Sequence, residues 1–437
     1  MITIKTEPHL EQINMPENLA IGLMIAEKRK ECATLGIDFT YYSFALGQSP
    51  FPVPESIQKE LEHHADKVEY AEAAGIEPLR RSIAEFNKRH FDMDVRPENI
   101  IIGPGTKSLL FLLFSILEGT FVVPVPSWIG YTPLLTFAKK EYRTLELDAS
   151  ENYRLNPEKL DAMFADIEGT AILVLNHPNN PSGVVYSKKE LQDITDVCRK
   201  HNALVISDEI YALTTYEFEN FVSMGNVFPE GTFITNGLSK DRSAGGYRFG
   251  TCLLPEQGTT KLRDTFKKIA ASIFSNVSTP IQYAAIKAYA ENNEISTYFT
   301  IIRSIHRIMG HHLSEAFSTV PGLSASMPEG GFYFLLDFNT FAEKLKANGI
   351  TDANQLSKEL LKDPYDVALV AGKAIITDPD NFLARIAFID YDGAEVYQAY
   401  LDNPPANTQE EVIFFNQHGK QMLDGVEQVK RFLDDLK

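Results

Sequence analysis

Residues 171–183 read Ala-Ile-Leu-Val-Leu-Asn-His-Pro-Asn-Asn-Pro-Ser-Gly, and residues 204–211 read Leu-Val-Ile-Ser-Asp-Glu-Ile-Tyr. Each opens on an unbroken apolar run and closes on polar side chains. The runs are too short for helices and too uniformly apolar for strands with one wet face. Strands read this way when helices cover both faces of a parallel sheet. Ile100–Ile102, Phe121–Val125, Thr232–Thr235 and Phe249–Leu254 repeat the pattern. Amphipathic segments lie between them. In Lys188–His201, for example, Leu191, Ile194, Val197 and Cys198 fall on one helical face.

This alternation predicts an α/β fold: a large domain built on a mostly parallel, helix-covered, three-layer sheet. After about residue 310 the pattern turns towards α+β, with strands expected at Gly331–Phe338 and Leu383–Ile389. Residues 1–50 read as an N-terminal segment, an arm or part of the smaller domain, with a helix over Ile21–Leu35 and a stretch Phe39–Leu46. The Gly/Pro cluster from Gly47 to Pro54 marks a loop or boundary. Residues 51–310 form the expected large domain and 311–437 a smaller α+β domain.

The chain has 437 residues, room for two or three domains. With 41 Lys and Arg against 59 Asp and Glu, its net charge is −18. An anionic surface argues against a nucleic-acid partner, which calls for clustered cations. Cys32, Cys198 and Cys252 are odd in number and form no CxxC pair. That argues against a disulfide framework or a zinc cluster and for a reducing cytoplasm; no metal site is expected. Residues 1–10 carry no apolar signal core, and the longest apolar run, Leu109–Leu117, is nine residues. A membrane span takes about 20, so no membrane association is expected and a cytoplasmic protein is.

Ligands of such sheets sit outside the carboxyl ends of the strands, so the residues there carry the chemistry. Gly103-Pro104-Gly105-Thr106-Lys107 opens a helical stretch and offers free backbone N–H groups to an anion such as phosphate. The alternative is a tight turn capped by Thr106. Trp128, the only tryptophan, could stack on a planar ring or fill the core. The loop 176–183 holds three Asn and two Pro, more than a plain turn needs. Asp208 either caps a helix after the strand or pairs with a buried cation. Lys240, after Ser239, stands at the same edge and is a candidate nucleophile; Arg248 can fork onto a phosphate. Arg385, inside an apolar run, needs an anion: an internal carboxylate or that of a substrate.

One ligand has a phosphate, a flat ring, a basic ring nitrogen, a phenolic oxygen and an aldehyde: pyridoxal 5′-phosphate. From about Gly47 to Arg385 the sequence resembles the fold-type-I, class I/II aminotransferases, the aspartate aminotransferase superfamily. The resemblance rests on Asn-Asn-Pro-Ser-Gly at 179–183, Asp-Glu-Ile-Tyr at 208–211, and Ser239-Lys240 followed by Arg248-Phe249-Gly250. Tyr70 five residues before Gly75, Leu79-Arg80, and Pro328-Glu329-Gly330-Gly331-Phe332-Tyr333 add to it.

The resemblance implies transfer of an amino group between an L-amino acid and a 2-keto acid in ping-pong half reactions. It implies that Lys240 joins the cofactor aldehyde and shuttles protons, and that Asp208 keeps the ring nitrogen protonated. Asn180 and Tyr211 would bond the phenolic oxygen, and Trp128 would stack on the ring. Thr106, backbone groups around Gly105, and Arg248 would hold the phosphate, and Ser239 would also bind the cofactor. Tyr70 would reach the phosphate of a neighbouring subunit, which implies a homodimer with shared sites. Arg385 would bind the substrate carboxylate beside Gly47 and Asn180. Lys107 would contact the cofactor side of the pocket or the distal carboxylate of an acidic substrate, unless it is only an exposed first-turn residue.

Three features depart from the family pattern. Lys240-Asp241-Arg242 brings in Ser-Lys-Asp, also found in aminocyclopropane-carboxylate synthases. It keeps lyase or cyclase chemistry on the same scaffold as the alternative. Ala371-Gly372-Lys373-Ala374 replaces a familiar Pro-Gly. The stretch near 391–420, with the turn-rich Asp402–Asn407, matches nothing in the family.

Overall fold

The computed structural model describes residues 5–13, 17–36, 40–257 and 260–437. The N-terminal helix runs Glu17–Leu35, four residues longer at its start than the pattern gave. Phe39 of the stretch expected at Phe39–Leu46 lies outside the described residues. The chain then enters the short strand β1 (Tyr42–Ser43).

Seven strands form the large sheet: β2 (Ile100–Gly103), β3 (Thr120–Val125), β4 (Tyr142–Glu146), β5 (Ala171–Asn176), β6 (Leu204–Asp208), β7 (Thr232–Gly237) and β8 (Gly250–Leu253). Their order is β2-β8-β7-β6-β5-β3-β4. Every pairing is parallel except the two made by β8. The apolar run at 249–254 looks like the others, but it runs the opposite way. Only a short connection without an α-helix separates it from β7, too little for a parallel crossover. The edge strand β4 reads Tyr, Arg, Thr, Leu, Glu and so presents no apolar run.

Both faces of the sheet are covered. Phe121, Val123, Ile172, Val174 and Ile206 pack with Leu109 and Leu113 of the helix Thr106–Ile116 and Phe266 of the helix Thr260–Phe274. Val122, Leu173, Leu175 and Val205 point the other way, onto Leu160, Phe164, Leu191, Ile194 and Cys198. Successive side chains of a strand face opposite sides, so a doubly covered strand must be apolar throughout. The covering helix Lys188–Lys200 starts on a capping box between Ser187 and Glu190.

A second, four-stranded sheet has the order β12-β13-β10-β9, all antiparallel: β9 (Ser324–Ala325), β10 (Tyr333–Asp337), β12 (Val370–Ala371) and β13 (Leu383–Ala387). β1 pairs in parallel with β11 (Val367–Ala368). Position 310 falls inside the continuous helix Asn293–Ser318, which runs from one part of the chain into the other. The stretch near 391–420 is mostly helical. Gly393–Asp402 and Thr408–His418 flank the turn-rich residues, and Lys420–Asp435 comes after them. Glu411 pairs with Arg307 of the long helix.

Arg242 is a buried tie between these layers. It is 1% exposed, bonds the Ala288 carbonyl and Asp241, and lies 4.5–5.0 Å from the rings of Phe86, Tyr289 and Phe299. Those rings belong to three different helices. Burial raises the pKa of Asp241, and the Arg242 charge opposes the rise. Arg242→Met leaves a buried carboxylate unpaired, which costs about 3–5 kcal/mol. Asp241→Asn combined with Arg242→Met removes that charge and is expected to recover most of the loss. Denaturant unfolding of the two variants checks both outcomes.

Candidate active site

The carboxyl ends of the central strands, the loop from Leu46 to Gln48 and the second sheet enclose a cavity of about 460 Å³. It is lined by Gly47, Thr106, Lys107, Trp128, Asn180, Asp208, Tyr211, Ser239, Lys240, Arg248 and Arg385, brought together from distant parts of the chain. Gly105 sits directly behind it, against Arg248. Tyr70 does not reach it; that residue is 90% exposed elsewhere on the surface.

Asp208 ends β6 and is 3% exposed. Tyr131 donates to its Oδ2 at 2.8 Å and Thr235 to its Oδ1 at 3.0 Å. Its carboxyl group is therefore not a helix cap. Burial raises its pKa, opposed by the hydrogen bonds from Tyr131 and Thr235, by the Ile210 amide and by the charge of Lys240. The Asn176 side chain donates to the Asp208 carbonyl at 2.8 Å and accepts from the Asn180 amide at 2.7 Å. That pair locks the asparagine-rich loop to the strand end. The Asn180 Oδ1 itself is buried and has no hydrogen-bond partner.

Lys240 follows β7, and its Nζ donates to the Gly47 carbonyl at 2.5 Å. Gly105, not Thr106, occupies the cap position of the helix Thr106–Ile116. Its φ of +83° and the Arg248 guanidinium above it leave no room for a Cβ, which would stand 2.4 Å from Nη2. The free amide end of the helix and Arg248 thus converge. Lys107, exposed at the cavity mouth, places its Nζ 5.3 Å from the centre of the Trp128 ring. Partial burial lowers its pKa, and the charges of Arg248 and Lys240 lower it further.

Arg385 is 7% exposed, and none of the ion pairs found among the described residues includes it. It donates to the Ala45 carbonyl at 2.5 Å, its Nε is buried without a partner, and its Cζ lies 4.6 Å from the centre of the Tyr333 ring. The internal-carboxylate alternative for this arginine does not hold.

Tyr131, Thr235 and Tyr333 carry parts of this geometry that the sequence pattern did not single out. Tyr131 comes three residues after Trp128, Tyr333 ends the Pro-Glu-Gly-Gly-Phe-Tyr motif, and Thr235 is the strand residue paired with Asp208. Tyr333 opens β10, Thr235 lies within β7 and Tyr131 opens the helix Tyr131–Phe137, so closeness to a strand is the available signal.

A family model for aminotransferase class I and II matches residues 36–390. The chain belongs to this family. It is an aminotransferase. It is 29% identical over 358 residues to an aspartate aminotransferase of Bacillus sp. (strain YM-2), covering 80% of this chain and 88% of that protein. With the aspartate aminotransferase of Bacillus subtilis (strain 168) it shares 30% over 370 residues, covering 82% of this chain and 89% of the other. The aspartate aminotransferase structure from Rhizobium meliloti superposes with a TM-score of 0.82 over the full length of both chains, at 21% identity, and so shares the fold. No helix among the described residues of the aminotransferase is long and apolar enough to cross a membrane.

Glu209, next to Asp208, is 1% exposed and accepts from Ser207, Ser223 and the Met224 amide. Burial pushes its pKa up to about 7 against those hydrogen bonds. The folded state therefore binds the extra proton, and this group's contribution to stability falls as pH rises from the unfolded pKa towards 7. Glu209→Gln keeps an acceptor and removes the charge. It is expected to gain stability relative to the parent between pH 5 and pH 8, read as the difference in Tm.

Proposed function

We propose that this aminotransferase works with pyridoxal 5′-phosphate in the cavity and transfers the amino group of an acidic amino acid of the aspartate or glutamate type. The observation that carries the reading is the placement of Asp208, Lys240 and Arg385 on three sides of one cavity. The residues fit the cofactor. The Asp208 carboxyl, raised by burial, gains from a cationic ring nitrogen beside it. Asn180 lines the cavity wall with its Oδ1 unpartnered, and turning the amide over presents its Nδ2 donor to a phenolic oxygen. The Gly105 turn, the Thr106 end of the helix and Arg248 form a cradle for phosphate.

When bound, the cofactor supplies an aldehyde for the amino group and a ring that accepts an electron pair from the substrate Cα. Asp208 holds a proton on the ring nitrogen. Tyr211 and Asn180 hold the phenolic oxygen, and Trp128 covers the ring face. Ser239 joins Arg248 and Thr106 at the phosphate. Lys240 Nζ carries the proton lost from Cα, within reach of the Gly47 carbonyl that positions it. Arg385 takes the substrate α-carboxylate as a fork, with Gly47 and Asn180 beside it. Lys107 takes the distal carboxylate; the aspartate aminotransferases among its relatives support that choice of substrate.

We extend the proposal to a cytoplasmic homodimer in which Tyr70 reaches the partner's phosphate site. Residues 51–310 are taken as the large domain and 311–437 as the smaller one, with residues 1–50 as an N-terminal arm or part of the smaller domain.

The purified enzyme with pyridoxal 5′-phosphate is expected to absorb in the visible range, and Lys240→Ala to lose the band and the activity. A parent protein that stays colourless on addition of the cofactor refutes the reading. Lys107→Ala is expected to raise KM for aspartate by about tenfold, the size of a ~1.4 kcal/mol contact, and to leave KM for alanine nearly unchanged. Equal effects on both amino acids, measured by steady-state kinetics, remove the distal-carboxylate role.

A further inference from the structure

A second cavity, of about 480 Å³, lies outside the carboxyl ends of β3 and β4, against the loops that end β10 and open β13. It shares no lining residue with the site described above. Its size is that of a small-molecule site, which runs from about 300 to 1,000 Å³. The charged residues of its wall, Glu146, Asp378 and Asp380, are all acidic. None of the ion pairs found among the described residues includes them. Lys159 feels the charge of Glu146 but pairs with Asp148 and Glu151 instead. Asp378 Oδ1 accepts from the Asp380 amide at 2.9 Å. The wall's asparagines are already matched. Asn339 Nδ2 donates to Asn381 Oδ1 at 2.8 Å and to Asp337 Oδ1 at 2.7 Å, and its Oδ1 accepts from the Phe382 amide at 3.0 Å. Carboxylate oxygens are therefore the acceptors left open to the cavity.

Tyr153 points to a ligand independently of that charge. It is 8% exposed, its ring packs with Leu145, Leu147 and Leu155, and it lines the cavity. Among the described residues its hydroxyl has no hydrogen-bond partner. Burial pushes its pKa up to about 12, and the Asp337 carboxylate, two residues before Asn339 of the wall, adds to the rise. The hydroxyl end of the ring is thus the end beside the wall. A buried hydroxyl without a partner is costly until something in the cavity meets it.

We propose that this second cavity binds an alkyl polyamine, a cation whose charges are spaced along a methylene chain. A compact metal ion is the poorer match. No three His, Cys, Asp or Glu side chains among the described residues stand close enough to hold one. Ammonium groups carry three donors each and suit carboxylate oxygens spread around a rim. One of them can also donate to the Tyr153 oxygen. The methylenes between them suit the apolar part of the wall, Val125, Pro126, Leu147 and Leu383. The net charge of −18 draws cations to the whole surface. This cavity adds walls and a buried hydroxyl to that attraction. Nothing in it depends on the cofactor reading of the first cavity.

The test is isothermal titration calorimetry of the full-length protein with spermidine at physiological ionic strength, where surface attraction is screened. The parent is expected to bind one spermidine per chain, and 1,4-butanediol, which keeps a methylene chain without charge, is expected not to bind. Asp378→Asn combined with Asp380→Asn keeps the acceptor for the Asp380 amide and removes both charges. It is expected to weaken spermidine about tenfold. Tyr153→Phe keeps the ring, removes the hydroxyl and is expected to weaken it about fivefold. Glu146→Gln, on an exposed strand end, carries the same question should Tyr153→Phe fail to fold, and is expected to weaken spermidine about threefold. Asp66→Asn combined with Glu168→Gln removes two exposed acids that line neither cavity and is expected to leave the affinity within about twofold. Absence of saturable binding in the parent overturns the proposal. So does equal weakening by the Asp66 and Glu168 pair, which would mean that the surface charge alone holds the cation. Unchanged affinity in the Asp378 and Asp380 pair, equal binding of butanediol, or displacement of spermidine by an equal concentration of Mg²⁺ overturns it as well.

Discussion

A carboxyl group buried at the end of a central strand must be answered by something, and much of this site is the answer to Asp208. Two hydroxyl donors, from Tyr131 and Thr235, hold its oxygens. Asn176 ties its carbonyl to the asparagine-rich loop. These bonds offset part of the desolvation penalty and leave the rest, so the carboxyl still sits above its ordinary pKa. A cation presented from the cavity removes that residual cost. In the proposed function that cation is the ring nitrogen of the cofactor.

The electrostatics of the cavity run against those of the whole molecule. The chain carries a net charge of −18, yet Lys107, Lys240, Arg248 and Arg385 converge on one space. Burial lowers the pKa of Lys107, and repulsion from Arg248 and Lys240 lowers it further. Local field and global charge differ because a walled cavity shields its own cations from the distant acidic surface. An anionic surface is compatible with an anionic ligand when the site is built this way.

The large sheet was legible because burial on both faces imposes an apolar run, and such runs stand out in a sequence. Leu204–Asp208 and Ala171–Asn176 show it, and the polar residues that end them line the cavity. The edge strand β4 has one wet face and so mixes polar with apolar residues, which hid it. The direction of β8 was hidden for another reason: an apolar run records burial, not polarity of the chain. Lys240, Asp208 and Arg385 could be found because charge in an apolar context is costly. Tyr131 and Tyr333 could not, because a tyrosine beside a strand is ordinary until its hydroxyl partner is seen. The helix Lys420–Asp435 is amphipathic, but nothing in its pattern named the surface it would pack on.

The cavity takes its lysine from the middle of the chain, Gly47 from near the beginning and Arg385 from near the end. The Phe44 carbonyl accepts the Ala387 amide, and β1 pairs with β11. The floor of the site, Asp208 with its hydroxyl donors, needs only the large sheet and the helix Tyr131–Phe137. The walls need the two chain ends to meet. During synthesis, the floor can therefore form while Arg385 is still inside the ribosome. A chain cut short before Arg385 would keep the Gly105 turn, Arg248 and Lys240 without the arginine of the facing wall. The meeting of Phe44 with Ala387 is thus what turns a hollow on the large sheet into a walled cavity.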